Sequence, residues 1–74
     1  MTEYLDTLNR AERDALRRDL ESMYNTIVDE EAAAWHDRKV APMVYAEVIG
    51  KLAVIQAVFE KLSIDFEYGR KIER

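Results

Sequence analysis

Cysteine is absent from this sequence, and histidine and proline occur once each and glycine twice. Without cysteine there is no disulfide to staple a small fold and no thiolate site for zinc. The single histidine, His36, offers one imidazole, and the residue three before it is Ala33, so the Glu-x-x-His pattern of a carboxylate-bridged metal site is missing. No Ser-His-Asp set, glycine-rich phosphate loop or zinc-finger spacing occurs. The chain is therefore expected to carry no catalytic residues, no metal and no cofactor, and not to be an enzyme. Scarce glycine and proline also leave no loop-rich or low-complexity segment to divide two domains.

Leader and span signals are missing as well. Glu3 and Asp6 stand where a secretory peptide would carry its basic region. The most apolar stretch, Val40 to Phe59, is interrupted by Glu47, Lys51 and Gln56, which argues against a transmembrane span. The expected compartment is the cytoplasm.

What is present is a chain of 74 residues, 49% hydrophobic and 35% charged. Residues 1–74 form one small domain, because a chain this short holds one core. At this size only about 60% of the unfolded surface is buried on folding. With disulfides and metal removed, tight helix packing and oligomerisation are the supports left.

Asn9-Arg10-Ala11-Glu12 places an Asn cap three residues before a Glu that can reach back, a capping box that predicts a helix start near Arg10. Leu16, Leu20, Met23 and Ile27 recur at spacings of four, three and four and mark one apolar stripe, widened by Tyr24 and Val28. Glu30 and Glu31 fall where that stripe would continue. Either one helix runs unbroken over about 10–39, or it restarts with Asp29 as cap; with no glycine or proline at the junction, the unbroken helix is favoured. Val40-Ala41-Pro42 reads as a short connection, with Pro42 in the first turn of a second helix over 42–62 or longer. Tyr4, Leu5 and Leu8 are expected to form a docking turn. Beyond Leu62, Ile64, Phe66 and Tyr68 alternate with Asp65 and Glu67 in a strand-like pattern, but no second strand exists to pair with, so continued helix is expected. The fold class is all-α, an antiparallel helical hairpin.

The second helix carries two seams. Tyr45, Val48, Leu52, Ile55, Phe59 and Leu62 make a bulky one; Ala46, Gly50, Ala53 and Ala57 make a small-residue one roughly opposite. Val44, Ile49, Val54 and Val58 fill the flanks, so the helix is apolar nearly all round, and one partner helix covers only one seam. Gly50 inside a helix costs about 1 kcal/mol against alanine, which suggests a close backbone approach, although alanines are also generic helix formers. Dimerisation of two hairpins into a four-helix bundle, with the small seam as the packing surface, is the simplest way to cover both.

Charge is uneven. Between Asp19 and Asp37 there are six acids and no lysine or arginine, while residues 41–74 hold five charges of each sign, so the net charge of -4 resides in the first forty residues. Asp19, Glu21, Asp29, Glu30, Glu31 and Asp37, with Trp35 beside them, form the candidate partner-binding surface, suited to an unidentified protein with a basic face. The same acids would serve an ordinary soluble helix face. Arg10, Arg13, Arg17 and Arg18 are interleaved with Glu12, Asp14, Asp19 and Glu21, and this self-neutralising block argues against nucleic-acid binding. The leading expectation is a homodimeric, non-enzymatic interaction protein, a regulator, adaptor or assembly factor. Two alternatives stay open: an acidic inhibitor occupying the nucleic-acid cleft of a target enzyme, and a weak nucleic-acid binder using the early arginines.

Overall fold

A computed structural model describes residues 8–73 as two helices in an antiparallel hairpin, α1 (Arg10–His36) and α2 (Pro42–Lys61), followed by an extended tail. The all-α hairpin matches the sequence expectation. Tyr4 and Leu5 lie outside the described residues, and Leu8 is half-buried.

The start of α1 is set by its capping box. The Asn9 side chain accepts from the Glu12 backbone N–H at 2.8 Å, and the Glu12 carboxylate accepts from the Asn9 N–H at 3.4 Å. Two of the N–H groups that a helix start leaves unpaired are thereby satisfied. The helix runs without a break through Asp29-Glu30-Glu31, as favoured, but stops at His36, not at 39. Asp37 ends the helix at φ -102°, ψ 10°, and Pro42 bounds the turn on its far side, disfavouring helical geometry at Ala41, which sits at φ -131°, ψ 66°. The turn over 37–40 is closed by the Val40 and Ala41 N–H groups donating to the Asp37 carbonyl at 3.0 and 2.8 Å. Arg38 adds a charged donor at the helix end, its guanidinium donating to the Trp35 carbonyl at 2.6 Å.

The core is built by the bulky seam of α2. Val48, Leu52, Ile55 and Phe59 are buried, and Tyr45 and Leu62 are half-buried at its ends. On α1 the packing centre is Tyr24, fully buried, with Leu20, Ile27 and Val28 around it. Met23, counted in the expected stripe, is instead 56% exposed. The two positions are 100° apart on the helix, and the bulkier aromatic takes the central one, turning Met23 to the rim.

The tail corrects the expectation of continued helix. Ser63 has φ 56°, its N–H donates to the Glu60 carbonyl at 3.2 Å, and the Ile64 N–H donates to the Phe59 carbonyl at 2.9 Å. This is a Schellman stop with serine in the left-handed position usually held by glycine, and with Ile64 packed on the Phe59 core. Alternation then has its effect without a sheet. Ile64 and Phe66 turn to the core, and Asp65 and Glu67 turn to solvent. Tyr24 donates its hydroxyl to the Glu67 carbonyl at 2.7 Å. Asn25 holds Ile72 in both directions, accepting from its N–H at 2.7 Å and donating to its carbonyl at 2.8 Å. Between these anchors Glu67–Arg70 forms a turn, with Gly69 at φ 73° supplying the positive dihedral that its third position requires.

Candidate interaction surfaces

Tyr24, Phe59 and Phe66 form an aromatic triangle with ring centroids 5.2, 6.0 and 5.3 Å apart, in tilted and edge-on geometries that favour ring contact. The tail seals this cluster. Burial pushes the Tyr24 hydroxyl above its ordinary value, with the nearby Glu67 carboxylate acting in the same direction and the neighbouring backbone N–H groups of Arg70 and Gly69 opposing. Beside it, an open depression of about 830 Å³ lies between α1 and the tail, lined by Val28, Asp29, Phe66, Arg70, Lys71 and Ile72 among others. Both of its basic side chains are paired. Lys71 pairs with Asp29 at 2.9 Å and Arg70 with Glu67 at 3.1 Å. Among the described residues no buried side-chain nitrogen or oxygen lacks a partner, and no three potential ligands cluster for a metal.

The acidic segment is not one surface. At 100° per residue, Asp19, Glu30 and Asp37 share one side of α1, whereas Asp29 points about a quarter turn away from them. Glu21 leaves the candidate surface altogether: it is buried, 5% exposed, with Arg17 at 3.6 Å. It sits on the core side of α1, 60° round from the helix direction of Tyr24. Lysines distant in sequence reach two of the remaining acids. Lys71 meets Asp29, and Lys51 lies 3.8 Å from Glu30. Glu31 accepts from the Tyr45 hydroxyl at 3.4 Å.

Trp35 is half-exposed at the turn end. The Arg38 guanidinium lies 3.6 Å from its ring centre, and Tyr45 leans against it at 5.6 Å. It borders the hairpin and still offers an open edge. In the early arginine block, Arg17 pairs with Glu21 and Arg18 donates to the Asp14 carbonyl at 3.4 Å.

The outer face of α2 is different in kind. Ala46, Gly50, Ala53 and Ala57 are all exposed, in line along the side opposite the core. Beside them Met43 and Val54 are 75% and 66% exposed. A Cβ added at Gly50 would meet nothing within 4 Å, so no contact among the described residues requires glycine there. This face qualifies the sequence reading about membranes: Pro42–Lys61 is long and apolar enough to cross one by length and composition, with a mean hydropathy of 1.4 over its best window. Core helices of soluble proteins meet the same criterion, although only 22% of this window is buried. No family model, curated protein or solved structure matches this chain.

Proposed function

We propose that this chain is a small non-enzymatic interaction protein that works as a homodimer, as a regulator, adaptor or assembly factor. The observation that carries this reading is the exposed apolar face of α2. A helix apolar on both sides and covered on one exposes what a neighbour would bury, and an exposed patch of this kind is characteristic of contact sites. The molecule's dimensions support it. The radius of gyration is 14.1 Å, against about 11 Å for a compact chain of this length, and the shortest dimension is 16 Å. The two helices make one layer where a stable domain has two, and a second hairpin supplies the other.

Asp19, Glu30, Asp37 and the edge of Trp35 then remain outward for a further protein with a basic surface. The inhibitor reading draws less support from the geometry, because imitation of phosphates needs uncompensated charge and Lys51 and Lys71 compensate Glu30 and Asp29. Sedimentation equilibrium tests the central element. The wild type is expected to be dimeric at micromolar concentration and Gly50→Leu to shift towards monomer, since the leucine has room within one chain but would hold two helices apart. A wild type that stays monomeric overturns the reading. Charge reversal at Glu30 and Asp37 should weaken capture of a basic partner protein; capture unchanged by that reversal removes the acidic flank from the account.

A further inference from the structure

We infer that the second copy docks antiparallel, about a two-fold axis passing through Gly50 perpendicular to α2, with Glu47 of each copy paired to Lys51 of the other. This rests on the homodimer reading above and specifies its geometry. Charge complementarity carries it. At 100° and about 1.5 Å per residue, Glu47 and Lys51 lie on the same edge of the outer face, about 60° and 100° round from Gly50. Glu47 is about 4.5 Å before Gly50 along the helix and Lys51 about 1.5 Å after it. A perpendicular two-fold axis keeps an edge on its own side and reverses the direction along the helix. Each Glu47 therefore comes within about 3 Å, measured along the axis, of the partner's Lys51, twice over by symmetry.

The alternative parallel pairing sets this charged edge against the edge carrying Ile49, Ala53 and Gln56, leaving both charges on an apolar surface. Both groups are available for the exchange. The Glu47 side chain has no hydrogen bond or ion pair among the described residues, and Lys51, 3.8 Å from Glu30 with its side chain 60% exposed, has donors for a second carboxylate as well. Small residues at the crossing, Ala46, Gly50, Ala53 and Ala57, bring the two backbones close enough for these long side chains to meet.

Because the chain has no cysteine, single cysteines report the register cleanly. Gly50→Cys on the two-fold axis is expected to yield covalent dimer under mild oxidation, the disulfide needing Cα atoms about 4.4–6.8 Å apart. Ala57→Cys should give only background, because its two copies lie about 21 Å apart along the antiparallel pair. Charge variants give an independent readout. Glu47→Lys alone and Lys51→Glu alone should each weaken the homodimer roughly tenfold or more, whereas the two variants mixed should form a heterodimer at least as tight as the wild type. Cross-linking of Ala57→Cys but not Gly50→Cys overturns the antiparallel register while leaving the homodimer standing. A wild type that remains monomeric in solution overturns both; if it then co-sediments with phosphatidylcholine vesicles, the face belongs to a bilayer.

Discussion

The two faces of α2 are both apolar and opposite in fate. Inward, Val48, Leu52, Ile55 and Phe59 are each 8% exposed or less; outward, Ala46, Gly50, Ala53 and Ala57 lie open with Met43 and Val54 beside them. Bulk decides between them. Large side chains fill the space between two helices and the tail, and each buried one contributes about 1.5–3 kcal/mol, whereas alanine and glycine offer little area and allow only close approach. Within one chain the large residues have somewhere to go. The small ones stay open within one chain, and in the proposed dimer they would meet another flat surface.

The comparison can be broken from the inside first. Phe59→Ala removes the ring shared by Tyr24, Phe66 and Ile64 and is expected to cost about 3–5 kcal/mol, enough to unfold a domain of this size in thermal melts followed by circular dichroism. A melt displaced by only a few degrees would mean that the aromatic triangle is not the core.

Next comes the clasp that closes that core. Tyr24→Phe loses the hydrogen bond to the Glu67 carbonyl and should cost about 1 kcal/mol. The wild type carries an associated pH dependence. Since the folded state holds the Tyr24 proton more tightly than the unfolded chain, whose value is 10.0, this contribution is complete below that pH and is lost as pH rises through the folded value. Denaturation in urea at neutral and alkaline pH should show a steeper alkaline loss in the wild type than in Tyr24→Phe, and equal slopes would refute the assignment.

Ser63→Gly should act in the other direction, stabilising by about 0.5–1 kcal/mol, because glycine relieves the left-handed strain at the Schellman stop. No gain in the thermal midpoint would place the helix end elsewhere. The smallest effect on the fold belongs to the outer face. Val54→Asp is expected to change the stability of dilute protein by less than about 0.5 kcal/mol, yet to abolish any rise of the melting midpoint with concentration. A large loss in dilute protein would show that the outer face is already covered within one chain.

These regions also differ in how far they were legible in the sequence. The capping box at Asn9 and Glu12, the proline start of α2 and the bulky seam depend on residues a few positions apart, and local spacing reveals such features. Packing at Tyr24 was half visible, since heptad spacing points equally to Met23 and size settles the choice. The tail was not legible, because its stop uses serine where the familiar signal is glycine. Its anchors, Tyr24 to Glu67 and Asn25 to Ile72, span 43 and 47 residues. The acidic surface misled for the same reason. A stretch with no lysine or arginine from Asp19 to Asp37 looks uncompensated, until the fold brings Lys51 and Lys71 to Glu30 and Asp29.

The central claim, that a second copy covers the outer face of α2, is tested most directly by the accessibility of its methyl groups to a soluble paramagnetic relaxation agent, measured by NMR at two protein concentrations. Val54 and Ile49 should be strongly relaxed in dilute protein and protected at high concentration, while Val40, 88% exposed in the turn, stays fully relaxed at both. Val54 and Ile49 methyls as accessible at high concentration as at low would contradict the account.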